Sequence, residues 1–183
     1  MNLKESIKNI VKRMNGEIPT AALVKRGLKV GKNFNRQQGS YIDPTHCFLV
    51  EIGDNVTFSI RVTILAHDAS TKKSIGYTKI GKVVIGDNVF VGANVTILPN
   101  VVIGNNVVVG ANSVVTKNIP DNCVAAGNPA KVICSIEEFI QRNTTKMENS
   151  QRFGKEYRFS KSMTEQKKKE IIEAVQQGIA YID

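Results

Sequence analysis

A chain of 183 residues with 42% hydrophobic residues, 6% aromatic residues and no Trp suits one domain with short appendages. Its formal charge of +9 is gathered at the start, where residues 1–40 hold nine Lys or Arg against two acidic residues; with no nucleic-acid motif, this reads as a solvated face or as an attraction for polyanions. No apolar run is long enough for a signal peptide or a membrane span, and Cys47, Cys123 and Cys134 lack metal-ligand spacing, so reduced thiols and a cytoplasmic location are expected.

In chain order, residues 2–14 predict an amphipathic helix with Leu3, Ile7, Ile10, Val11 and Met14 on one stripe. Asn15-Gly16 and Pro19 break it. A repeating region is predicted to begin near Leu28, with Val30-Gly31 as a degenerate first unit and Tyr41-Ile42-Asp43 as the third side of the first coil. A bulge at Pro44–Phe48 precedes a regular coil at Ile52, Phe58 and Ile64.

Twenty-one residues then separate Ile64 from Ile85 where six fit the pattern, so about residues 66–81 (HDASTKKSIGYTK) are expected to loop out. Long loops on a rigid scaffold are frequent sites of function. The pattern itself is clearest from Val84 to Val115. Ile85, Val91, Ile97, Ile103, Val109 and Val115 recur every six residues, Gly follows at 86, 92, 104 and 110, and Asn stands three after at 88, 94, 100, 106 and 112. A period of six is neither helical nor that of a simple strand; it is the signature of a parallel β-helix. Three hexads make one coil, each aliphatic side chain stacking on the one eighteen residues on, with Gly and Asn expected to supply left-handed turn conformations. The repeats are expected to end after Val115, where Thr116 to Pro120 bend the chain away. The polar tail predicts helices at about 135–149 and 164–178, the second bounded by Thr164 and Gly178.

The hexads, together with IPDNCVAAGNPAKVI from Ile119 to Ile133, resemble the left-handed β-helix acyltransferases, most closely the sugar and xenobiotic O-acetyltransferases. The resemblance covers about residues 28–134 and implies a mainly β fold: a left-handed parallel β-helix carrying an extruded loop, a short N-terminal helix and connector (1–27) and a C-terminal helical tail (135–183). It also implies an acetyl-CoA-dependent homotrimer with active sites between subunits, a small-molecule or glycan acceptor, and no metal. The handedness comes from the resemblance and not from the periodicity.

Acetyl transfer from a thioester to a hydroxyl needs a base and donors for an oxyanion. His67, at the root of the loop, matches the family's catalytic histidine. Its Nε2 would take the hydroxyl proton while Nδ1–H is held by a carbonyl or carboxylate. Asp68 is placed to orient the imidazole or touch the acceptor. Asp43 and, less firmly aligned, Asn35 match acceptor contacts of the galactoside branch. His46 reads as structural. Gly92-Ala93 and Gly110-Ala111 are equivalent turns one coil apart, and the resemblance puts pantetheine contacts on Ala93 and Ala111, with an oxyanion donor from the Gly92 or Ala93 backbone. Thr116 and Lys117 match residues near the CoA adenine and ribose phosphate. Lys131 is a second phosphate candidate; Arg142 and Lys146 are others, because Cys134 stands where the family has an arginine.

N-acetylation of an amino sugar, antibiotic acetylation and a non-catalytic scaffold remain open readings. Two histidines in the whole chain make a metal site of three histidines poor.

Overall fold

The computed structural model describes residues 17–159, 163–176 and 178–183. The helix expected over residues 2–14 lies outside the described residues. The connector contributes a helix of its own, α1 (Thr20–Val24), whose Leu23 is buried.

From Lys29 the chain winds as a triangular prism. Face A stacks β1 (Lys29–Val30), β4 (Val50–Ile52), β9 (Val83–Ile85) and β12 (Val101–Ile103). Face B stacks β2 (Asn35–Arg36), β5 (Thr57–Phe58), β10 (Phe90–Val91), β13 (Val108–Val109) and β15 (Cys123–Gly127). Face C stacks β3 (Tyr41–Ile42), β6 (Thr63–Ile64), β11 (Thr96–Ile97) and β14 (Val114–Val115). All these pairs are parallel, and the register has the expected offset: Ile85 pairs with Ile103, Val91 with Val109 and Ile97 with Val115. Those six side chains are at most 1% exposed and form the column of the core. Burying each aliphatic side chain is worth about 1.5–3 kcal/mol, so the column supplies the main driving force.

The turns divide the labour between Asn and Gly differently from the expectation. Asn33, Asn55, Asn88, Asn94, Asn100, Asn106, Asn112 and Asn122 all have φ between 54 and 63°, whereas the hexad glycines are not at positive φ. Asn tolerates the left-handed region because its short amide bonds locally. Here it also bonds along the prism: the Nδ2 of Asn33, Asn55, Asn88 and Asn106 each donate to the amide oxygen of the Asn one coil on, at 2.8–3.2 Å. Glycine is required for close approach instead. A Cβ on Gly86 would lie 2.8 Å from the Gly104 carbonyl carbon, and one on Gly92 would lie 2.6 Å from the Ala111 nitrogen.

The coil does not stop at Val115. Ile119 bridges Ile103 on face A, and β15 pairs with β13 in parallel, Val108 opposite Val124, through a turn two residues shorter than the repeat. Then β16 (Ala130–Ser135) folds back antiparallel on β15, covering its open edge. At the opposite end Arg36 takes the place that Phe58 and Val91 take in later coils. Its guanidinium donates to the Ile18 carbonyl at 2.9 Å and to the Ser40 carbonyl, closing the column with a group that serves otherwise orphaned backbone oxygens.

The described residues fall into two compact units, which part between Ile136 and Glu137. The second contains most of α3 (Ile136–Glu148), then β17 (Arg152–Phe153), α4 (Glu165–Val175) and β18 (Tyr181–Ile182), with β17 and β18 parallel. Thr164 caps α4 by accepting the Lys167 N–H at 3.3 Å. The β17–β18 pair has no periodic signal in the sequence.

Among the described residues no helix is long and apolar enough to cross a membrane.

Candidate active site

Both insertions into the repeat fall at the same corner of the prism, where face C turns into face A, and on neighbouring coils. In the first coil Lys29 pairs with Glu51, twenty-two residues on, against eighteen between Val83 and Val101. The extra residues form a turn leading into a 3₁₀ segment at Cys47–Leu49. In the second coil the excursion is a small hairpin: β7 (His67–Asp68) pairs antiparallel with β8 (Lys79–Ile80), with a single helical turn α2 (Lys72–Ile75) between them.

These excursions bring Asp43, His46 and His67 together. The Asp43 carboxylate is fully buried, while the imidazoles are about 30% exposed. Asp43 Oδ2 accepts the Ala66 N–H at 3.3 Å and lies 2.5 Å from His67 Nδ1. Oδ1 accepts the Thr45 N–H at 3.0 Å, the Thr45 hydroxyl at 2.7 Å and the His46 N–H at 3.3 Å. Burial alone would push this carboxyl up, but the bonds from His67 and Thr45 outweigh it and hold Asp43 at about 2. An ionised Asp43 requires Nδ1 of His67 to carry a proton, so that in the neutral ring the lone pair is on Nε2.

A group whose folded pKa is depressed contributes stability above its unfolded pKa and loses it as pH falls through the folded value. Wild type should therefore lose on the order of 2 kcal/mol between about pH 4 and pH 2 that Asp43→Asn does not lose. Urea midpoints across that range check it. Parallel curves would mean that the carboxylate is not held this way.

The sequence reading sets Asp43 among acceptor contacts; in the structure both its oxygens are engaged inside the fold and none of the side chain meets solvent. Asp43, and not Asp68, stands behind the imidazole. Asp68 turns to Lys79, whose Nζ lies 2.5 Å away, and accepts the Ser70 N–H at 2.8 Å. Those contacts keep its carboxyl well below the ordinary range. Asn35 lies exposed on face B, away from this corner, and accepts the Gln37 amide at 2.9 Å.

His46, expected to be structural, lies beside this pair: its ring centroid is 5.0 Å from that of His67. The count of residues at the first-coil corner carries the signal for it. Asp43, His46 and His67 also place one donor atom each within 4.8 Å of one another. In the structure the nearest imidazole nitrogens serve Asp43 and Thr45 as hydrogen-bond partners.

The other expected residues lie elsewhere on the prism. Ala93 and Ala111 stack at the turn from face B to face C, where the Asn112 N–H donates to the Ala93 carbonyl at 2.8 Å. The Gly92 N–H is already bonded to the Val109 carbonyl at 2.8 Å, which removes it as an oxyanion donor; the Ala93 N–H has no partner among the described residues. Thr116 and Lys117, both exposed, follow β14 at the same corner as His67. They stand two coils further along, about 10 Å at the usual strand spacing. Lys131 is exposed on β16, and Arg142 and Lys146 lie on α3 in the second unit.

Residues 82–117 match the model of the bacterial transferase hexapeptide, six repeats. This segment is a transferase hexapeptide repeat. The fold is the left-handed parallel β-helix of the hexapeptide-repeat acetyltransferases. The chain is 46% identical over 96 residues to CapG of Staphylococcus aureus, covering 50% of this chain and 56% of that protein. It is similar to the crystal structure of a maltose O-acetyltransferase from Clostridium difficile 630, with 44% identity, a TM-score of 0.53, and 60% and 59% of the two chains covered. It is also similar to a hexapeptide-repeat acetyltransferase from Vibrio cholerae in complex with acetyl coenzyme A, with 26% identity, a TM-score of 0.55, and coverage of 60% and 61%. The chain spans about half the length of the curated relatives it matches.

Proposed function

We propose that this hexapeptide-repeat chain is an acetyl-CoA-dependent O-acetyltransferase that acts on a hydroxyl of a carbohydrate, with His67 as general base. The observation that carries the reading is the pairing of a buried, ionised Asp43 with Nδ1 of a half-exposed His67 at 2.5 Å. Asp43 sets the tautomer. Nε2 then accepts the acceptor hydroxyl proton as the oxygen attacks the thioester carbonyl. The tetrahedral oxyanion is met by the Ala93 N–H, and its collapse expels the CoA thiolate, which takes the proton back from the imidazolium. Direct attack needs no metal and no covalent enzyme intermediate, because a thioester is already an activated acyl donor.

His67 and Ala93 lie on different edges of one prism. A complete site therefore needs a second copy of the chain, and a homotrimer with sites between subunits satisfies this by symmetry. Exposed Tyr41, Ile60, Phe90 and Val102 on the outer faces supply apolar surface for that contact. A carbohydrate acceptor is supported by the maltose O-acetyltransferase likeness, and acetyl-CoA by the V. cholerae complex. Cys47, Cys123 and Cys134 form no disulfide among the described residues, which suits a cytoplasmic setting.

The test joins cofactor and acceptor. CoA should raise the melting temperature by binding the folded state, and Lys117→Ala should weaken CoA more than dephospho-CoA. With acetyl-CoA and a library of glycosides, release of free thiol should identify the acceptor. Equal weakening for both CoA forms would remove Lys117 from the phosphate. No thermal shift with any CoA would remove the cofactor.

A further inference from the structure

The Asp43–Thr45 turn orients two imidazoles and not one. The Thr45 hydroxyl has a single proton, which it gives to Asp43 Oδ1 at 2.7 Å. The same oxygen lies 2.9 Å from His46 Nδ1 and, toward that nitrogen, has only lone pairs to offer. His46 Nδ1 must therefore be the protonated nitrogen, donating to Thr45, and the neutral ring carries its lone pair on Nε2. His67 is in the same state through Asp43 Oδ2. The two imidazoles stand side by side with centroids 5.0 Å apart, each about 30% exposed and each held at Nδ1, so that in the neutral form the acceptor nitrogen of both is Nε2.

This arrangement depends on the four residues that the first coil adds at the corner, since they carry Thr45 and His46 off the prism and beside His67. A purely structural histidine has no need of a defined free nitrogen at a half-exposed position.

We infer that His46 is a specificity-determining contact for the acceptor: its Nε2 accepts a hydrogen bond from a second hydroxyl neighbouring the one that His67 deprotonates. The inference rests on His67 being the base. It narrows the acceptor to a molecule with adjacent hydroxyls, such as a pyranose ring diol, and disfavours isolated alcohols. One neutral hydrogen bond of this kind is expected to give about a tenfold preference.

Two measurements test it on the full chain. In the ¹⁵N-labelled protein above the histidine titration, long-range imidazole spectra should place the His46 proton on Nδ1, the minor form for a free imidazole. A His46 proton on Nε2 would overturn the inference, because Nε2 would then donate. The second measurement compares kcat/KM for methyl galactoside, methyl glucoside and their monodeoxy analogues in wild type and His46→Ala. Wild type should lose about tenfold on the analogue missing the neighbouring hydroxyl, and His46→Ala should lose about tenfold on the parent and nothing further on that analogue. His46→Gln, which restores an acceptor, should recover part of the preference. An equal loss on parent and analogue in His46→Ala would reduce His46 to packing. His67→Ala in the same series separates the two ideas. If it keeps turnover, the base assignment fails, while the preference lost in His46→Ala is read from the two acceptors alone.

Discussion

His67→Ala should lower acetyl transfer by about 10²–10⁴-fold while the fold and CoA affinity persist. The imidazole lies outside the Val and Ile column and is about a third exposed, so its removal opens no core cavity. Asp43→Asn gives the companion result. The amide can offer its own N–H to Nδ1, which moves the imidazole proton to Nε2 and blocks the base; a loss of comparable size is expected. Initial rates by free-thiol release, with melting curves and CoA titrations on the same samples, check both. Wild-type turnover in His67→Ala would overturn the assignment.

Phe58→Ala should produce the largest loss of stability of any single truncation in the shaft, about 3–5 kcal/mol. Phe58 is the bulkiest of the fully buried side chains. It sits on face B between Arg36 in the first coil and Val91 in the third, with the Phe34 ring edge-on at 4.9 Å. A solenoid is held by contacts between adjacent coils, so an emptied position weakens two interfaces at once. Against a typical total of about 5–15 kcal/mol, such a loss should shift the urea midpoint strongly and loosen the first coil, which carries Asp43 and His46. A shift worth less than about 1 kcal/mol would mean that the neighbouring side chains collapse into the space.

Much of this architecture is legible in the sequence because a β-helix is close to one-dimensional. Contacts between coils recur at a fixed offset, so a local period of six specifies which residues meet far apart in the chain. That is why the stack of Ile85 on Ile103, the Asn turns and the outlying loop at 66–81 could be placed from residue spacing, whereas the helix capped by Thr164 was legible from its capping residue. The period also carries the sites of the two insertions, since any count that departs from six must leave the shaft at a corner. The role of the hexad glycines was less legible: permissive φ and the absence of a Cβ are both properties of Gly, and only the 2.6–2.8 Å approach of the next coil distinguishes which one a position uses.

The candidate site lies where the period stops informing. Asp43 and His67 are 24 residues apart and stand at the starts of two excursions of different length, and neither length follows from the repeat. Which carboxylate faces the imidazole is then a matter of side-chain direction. Asp68 adjoins His67 in sequence but turns to Lys79 across the hairpin, while Asp43 is buried behind the ring. The same reason governs His46, whose place beside His67 depends on the turn between Asp43 and Cys47. It governs the Gly92 N–H as well, which the ladder consumes, while the Ala93 N–H has no partner among the described residues. The sequence by itself determined the shaft, because there each contact repeats at a constant separation; only the tertiary structure decided the chemistry at its corner, because hydrogen-bond partners there are chosen by direction and distance between segments that no period relates.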